Sequence, residues 1–227
     1  KETLTSQLET IGEQILMVSR NELYLKMRFM DVALSGYAFV MDVGLETIGT
    51  DGLAIYYHPQ YLGGLFREDR ILVNRIYLHG IFRHMLRRQG REDRLYNLSC
   101  DIAAESIIDG MNYRCVLRSR SYIRRQMYAD LKRQMKVLTA EKIYQFLDAQ
   151  GLKEAELERL ERDFCVDSHQ YWPEDDQKKR QEIENQWQGI SEQMETDMET
   201  FSKEAASESG SLVDQIRVEN RQRTDYR

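Results

Sequence analysis

The stretch Arg75-Ile-Tyr-Leu-His79-Gly-Ile-Phe-Arg-His84 puts two of the chain's 4 histidines on what reads as one helix. A helix that binds zinc does so through two histidines four positions apart on one face, with a carboxylate beside them as general base. Here the spacing is five. At about 100° per residue the two rings point roughly 140° apart, so His79 and His84 cannot chelate one ion from a regular helix. The positions sharing a face with His79 are Arg75, Ile76, Phe82 and Arg83, none of them a metal ligand and two of them cationic. A metal site must therefore join one of these histidines to groups from elsewhere, with Asp101, Glu105 and His169 as the candidates.

Each of these residues also has a structural reading. His79 is expected at the edge of the core, hydrogen-bonded to Asp101 or Asn97, because buried polar groups find partners. Asp101 and Glu105 lie one helical turn apart and could form an acid/base pair, or simply answer Arg75 and Arg83. An Arg75–Asp101 pair would set a guanidinium where a metal would sit. Cys100 reads as a small core residue, and His58 before Pro59 as a turn residue.

Stepping along the chain supplies the elements that must hold these groups. Leu4, Leu8, Ile11, Ile15 and Val18 recur at three- and four-residue steps and predict a helix. A second helix is expected from Asn21, as N-cap, to about Leu34. Tyr37–Met41 and Leu53–Tyr57 are β-branched and aromatic, and Thr50-Asp-Gly52 is a turn between them. Together they predict one hairpin, ended by Pro59. Helices follow from Glu68 to Arg88, stopped by Gln89-Gly90, and from Glu92-Asp93 to Asp109, closed by Gly110. Further helices span Ser121–Lys136, Thr139 to before Gly151, and Lys153–Phe164. Trp172-Pro173 breaks the chain. Glu174 to about Ser207 reads as one long polar helix with a thin apolar stripe at Ile183, Trp187, Ile190, Met194 and Met198. Such a helix packs by one edge. Ser209-Gly-Ser211 is a hinge before a last helix near Leu212. The fold expected is mainly α, a multi-helix domain with one small β-hairpin over 1–172 and a long helical extension over 173–227.

Composition narrows the function classes. With 41% apolar residues in 227 the chain can bury a core, and it has no long apolar run that would span a membrane. Its 3 cysteines, Cys100, Cys115 and Cys165, form no CxxC pair and no disulfide framework, which favours reduced thiols and a cytoplasmic setting. A net charge of -6 argues against nucleic acid as the main partner. The segment from Arg114 to Lys136, with Tyr122 and Tyr128 interleaved, is basic enough to follow a phosphate backbone. The acidic region 154–208 could equally cover it from inside.

The run from Thr50-Asp-Gly52 through Tyr56-Tyr-His-Pro59, with His79, His84 and Tyr96-Asn-Leu-Ser-Cys-Asp101, resembles a zincin-like metallopeptidase domain family found N-terminal to von Willebrand factor A (VWA)-like domains. Asp167-Ser-His169-Gln-Tyr-Trp172 and the closing Asp225-Tyr-Arg227 are similar to segments of that family as well. The resemblance implies zincin-like core helices, an HExxH motif whose second histidine falls on His79, and a third metal ligand at Asp101. Arg75 and Ile76 stand where the first histidine and the glutamate belong. It therefore implies a degenerate site in which His79, His84, Asp101 and His169 are vestigial metal candidates. Arg75, Ile76, Asn97 and Glu105 surround them. No catalytic residue is assigned and no cofactor is required, zinc being the one metal the pattern allows. Beyond residue 227 the resemblance implies a VWA-like domain and association with a MoxR-type AAA+ ATPase. The function expected is a non-catalytic interaction or scaffold module. The alternatives are a metal-dependent peptidase with an atypical ligand set and a nucleic-acid-binding helical domain.

Overall fold

The computed structural model describes residues 2–87, 93–172, 176–201 and 210–225. The stop at Gln89-Gly90, the start at Glu92, the break at Pro173, the start at Glu174, the hinge residue Ser209 and the final Tyr226-Arg227 lie outside the described residues.

The chain is mainly helical around one small sheet. α1 (Glu2–Lys26) is a single helix, so Asn21 lies inside it rather than capping a second one. The helix continues because Leu16, Leu23 and Met27 extend a buried edge on either side of that position. This edge also holds Gly12, Ile15 and Ser19. A side chain at Gly12 would meet the Tyr57 ring at 2.2 Å, so glycine there is what lets the sheet lie against α1. A short 3-10 turn (Arg28–Met30) and α2 (Asp31–Leu34) follow.

The sheet departs from the predicted hairpin. β1 (Ala38–Met41) pairs with β3 (Ala54–Tyr57) in parallel, and β2 (Ile48–Thr50) pairs with β3 antiparallel, giving the order β1-β3-β2. The hairpin is β2–β3. Asp51 decides this locally, since its Oδ1 accepts from the amides of Leu53 (2.8 Å) and Ala54 (2.9 Å) and closes a tight turn. β1 is left to take the opposite edge of β3.

Pro59 starts a helix instead of ending the strand region alone. It occupies the first turn of α3 (Pro59–Glu68), where its missing N–H is harmless. His58 caps this helix, its Nδ1 accepting from the Gln60 amide at 3.2 Å. Asp69 caps α4 (Arg70–Leu86) through the Ile71 amide at 2.9 Å. α4 is buried on nearly every side, with α5 (Arg94–Asp109), α3, α1 and α9 (Gln177–Thr200) packed around it. α6 (Tyr122–Gln134), α7 (Ala140–Gln150) and α8 (Glu154–Phe164) complete the body.

The thin stripe on α9 is buried in the same apolar cluster as α4. Trp187 donates from Nε1 to the Gly52 carbonyl at 2.9 Å and pins α9 to the β2–β3 turn. α10 (Gly210–Asp225) packs on α9, with Leu212, Val213 and Ile216 buried. Among the described residues no helix is long and apolar enough to cross a membrane.

Candidate functional site

α4 and α5 face each other along two complementary rows. On α4 the row is Arg75, His79 and Arg83; on α5 it is Asp101, Glu105 and Asp109. Both repeat every four residues, which keeps each row on one helical face. The rows run antiparallel, so Arg75 meets Asp109 (2.5 Å) and Glu105 (3.2 Å). His79 meets Glu105 through Nδ1 (2.8 Å) and Asp101 through Nε2 (3.1 Å). Arg83 lies directly on the same Asp101 oxygen. The expected Arg75–Asp101 pair is thus corrected by register: Arg75 sits two turns from Asp101 and serves Glu105 and Asp109, while Arg83 takes Asp101.

Two other parts of the chain close the cluster. From α6, Arg124 pairs with Glu105 and with Asp109 Oδ2 at 3.1 Å, and also donates to the Asp163 carbonyl at 2.6 Å. Tyr128 donates to Asp109 at 2.7 Å. From the segment after α8, Cys165 donates its thiol proton to Asp101 Oδ2 at 3.0 Å. Asp167 places Oδ1 3.5 Å from His79 Nε2 and 3.5 Å from His169 Nε2.

The segment 166–172 is held in place by the sheet. The Ser168 amide donates to the Ile48 carbonyl at 2.7 Å, and Gly49 bridges Ser168 as if in parallel strands. A side chain at Gly49 would stand 2.5 Å from the Ser168 carbonyl oxygen, so this approach needs glycine. Tyr171 stacks on Tyr56 with ring centres 4.0 Å apart and donates to Asp42. Trp172 lies under the guanidiniums of Arg83 (4.2 Å) and Arg87 (3.7 Å), and His169 stacks on its ring at 4.3 Å.

The protonation of His79 follows from its two partners. A neutral imidazole has one N–H and cannot donate to carboxylates on both nitrogens. Burial pulls its pKa down, but Asp167 and Glu105 outweigh this and hold it above the ordinary value. Burial likewise raises Glu105, yet His79, Arg124 and Arg75 bring it down to about 2. Asp167 is buried too, and His169, His79 and Arg83 hold it far below the usual carboxylate range. Four carboxylates (Asp101, Glu105, Asp109, Asp167) therefore face three guanidiniums (Arg75, Arg83, Arg124). One imidazolium at His79 makes the cluster neutral.

The other candidates stand apart to different degrees. His84 is half-buried on another face of α4, stacked on Trp187 at 5.7 Å, and is no ligand of this cluster. Burial and the charge of Arg83 push its pKa down to about 3, so it is neutral. Asn97 lines the same cavity as Asp101 but makes no bond to His79. Ile76 is half-buried and lines a cleft of about 630 Å³ beside Arg75, Glu105 and Arg124. His169 reaches the cluster through Asp167, and both line a cavity of about 350 Å³ with Arg94, Asn97, Asp101 and Cys165. The basic segment 114–136 is tied in part to the body, through Arg124 and through Arg120 to the Asp109 carbonyl (2.7 Å), while Arg133 pairs only within its own helix, with Asp130 (3.1 Å).

Arg83, one of the two arginines expected to answer these acids, is the one that takes Asp101, whereas no single motif marks Asp167, Cys165 or Asp109 as members of the cluster. A signal for the α4–α5 part was available, since Arg75-x3-His79-x3-Arg83 and Asp101-x3-Glu105-x3-Asp109 are two four-residue repeats of opposite charge. Asp167 opens a segment that resembles the family, but nothing local ties it to His79; it sits between α8 and α9 and arrives through β2.

His79, Asp101 and Asp167 each offer one ligand atom, and these atoms lie within 4.8 Å of one another. One nitrogen and two carboxylate oxygens are a donor set that zinc accepts in kind and number. The charge around them does not suit it. Arg83 already occupies Asp101, and the proton on His79 Nε2 points where the ion would be. A metal would have to displace both.

A family described as "Putative metallopeptidase domain" matches residues 15–225, and the chain belongs to it. No curated protein and no solved structure matches the chain.

Proposed function

We propose that this member of the metallopeptidase domain family is non-catalytic and serves as an interaction or scaffold module. Its setting would be a longer protein with a C-terminal VWA-like domain, working with a MoxR-type AAA+ ATPase. The observation that carries the first part is Arg83 seated on Asp101 in the middle of the donor triad. A guanidinium there neutralises the carboxylate that a metal would need. Ile76 adds to this, because the resemblance puts a general base at that position and isoleucine cannot move a proton. The VWA-like domain and the ATPase rest on the sequence resemblance alone.

The test is metal analysis of protein purified without chelator, with peptide hydrolysis measured alongside. The expected outcome is zinc well below one equivalent and no hydrolysis. Stoichiometric zinc that disappears in both His79→Ala and Asp101→Ala overturns the reading. Full-length protein should bind the purified AAA+ ATPase, and failure to bind removes that part separately.

A second reading, a metal-dependent hydrolase with an atypical ligand set, is favoured by the closeness of the three donor atoms. In it, His79, Asp101 and Asp167 hold the ion. A bound zinc supplies an activated water, and Arg83 must swing away from Asp101. Metal-induced protection of the strap 166–172 from hydrogen exchange would support it.

A further inference from the structure

α1 turns away from the core a row of side chains that no described element covers. Leu4, Ile11, Val18 and Leu25 recur every seven residues, and with Met17 and Tyr24 they are 39% to 68% exposed. Gln7, Gln14 and Asn21, also exposed, fall three residues after each of the first three. Written as heptads, the a positions are apolar and the d positions are uncharged amides over three repeats. The flanking g positions, Thr3, Thr10, Met17 and Tyr24, carry no charge either.

We propose that this seam is a homodimer interface in which α1 of two copies pairs side by side as a parallel coiled coil. Self-complementarity selects the second copy. Parallel, in-register pairing sets a against a and d against d. Leu4, Ile11, Val18 and Leu25 then form apolar layers, and Gln7, Gln14 and Asn21 meet their twins as amide pairs, each offering donor and acceptor. Antiparallel pairing would press every amide against an apolar residue and leave it unsatisfied. The charge pattern agrees, since the a, d and g positions carry no charge and the one charged e position within the three repeats, Glu22, is already engaged within its own chain by Arg70 and Asn74.

The area is sufficient. Six large apolar side chains expose on the order of 600 Å² per copy, so the pair would bury about 1,200 Å², the lower bound of a stable interface. About 600 Å² of apolar surface along one helix is at the upper end of what a monomer leaves in water. The opposite edge of α1, with Ile15, Leu16, Leu23 and Met27, packs on its own core. Docking along the seam therefore disturbs neither fold. The interface touches none of the residues of the polar cluster, so it stands or falls independently of the function proposed above.

Analytical ultracentrifugation of the 227-residue chain tests it. A concentration-dependent dimer is expected, and the double variant Ile11→Glu/Val18→Glu should weaken it by at least ~100-fold. Helix content should not change, because both side chains already face solvent. Orientation is read by cross-linking: Gln14→Cys forms an intermolecular disulfide on mild oxidation, whereas exposed Glu13→Cys, off the seam, does not. A wild-type chain that stays monomeric at high micromolar concentration overturns the proposal and assigns the seam to another partner. A double variant that still dimerises, or cross-linking equal at both positions, overturns it as well.

Discussion

Around the α4–α5 contact, with Arg124 from α6 and Asp167 from the strap, the chain gathers four carboxylates and three guanidiniums, while along α1 it leaves six large apolar side chains in water. Both placements cost free energy, and the difference lies in where the compensation comes from. The buried charges are answered within the chain, row against row, with His79 supplying the last positive charge. The apolar seam has no answer among the described residues, and its heptad order matches only something of the same order. A buried polar cluster thus points inward, to architecture or a lost site, and an exposed apolar row points outward, to association.

The largest expected effect comes from breaking the inward compensation. Arg83→Leu leaves Asp101 buried and under-paired, and should lower the unfolding free energy by about 3–5 kcal/mol in urea denaturation. The double variant Arg83→Leu/Asp101→Leu should recover much of that loss, because it removes the charge with its partner. If the single variant is as stable as wild type, the two rows are not one compensated unit.

pH probes the same unit without mutation. Glu105, held down to about 2 against its ordinary value of 4.5, contributes stability that is present above about 4.5 and lost as the pH falls toward 2. His79, raised above its ordinary 6.5, contributes stability that is full below 6.5 and lost as the pH climbs through its raised value. Denaturation curves should therefore show a plateau between these limits. His79→Gln should remove the alkaline decline and shrink the acid one, because His79 is the largest of the groups that hold Glu105 down.

Gly49→Ala is smaller in effect and local. The added methyl meets the Ser168 backbone, so the strap must shift, at a cost of about 1–3 kcal/mol. Hydrogen exchange at the Ser168 amide should rise, while amides in α5 stay protected. At the far end of the scale, Leu25→Gln on the seam should change the stability of the monomer by no more than about 0.5 kcal/mol. That near-silence in folding, set against a measurable loss of dimer, is the sharpest contrast with Arg83.

Much of the helical frame was legible because capping residues and periodicity act locally. Asp93, Ser121 and Thr139 cap α5, α6 and α7 through their own side chains, near the expected starts. Asn21 misled because it has the chemistry of a cap, but the buried edge of α1 runs through it. Pro59 does follow the end of β3 as expected, and the same fixed backbone angle also lets it begin α3, the helix that the sequence reading did not foresee. β1 and β3 were recognised as strands, yet their pairing was not, since strand partners are chosen by turns and packing outside either strand.

The candidate site divides along the same line. Residue types and spacing alone settled that His79 and His84 cannot share an ion and that position 76 has no base, because helical geometry fixes relative directions along one element. They also brought His79, Asp101 and Glu105 forward as neighbours. Only the tertiary structure set the antiparallel register that gives Asp101 to Arg83 rather than to Arg75. It alone carried Asp167 across from the strap by way of β2, and it alone decided which edge of α1 faces water. The physical reason is common to all three. Contacts within a helix follow from its 3.6-residue period, whereas contacts between elements depend on packing that no short stretch of sequence encodes.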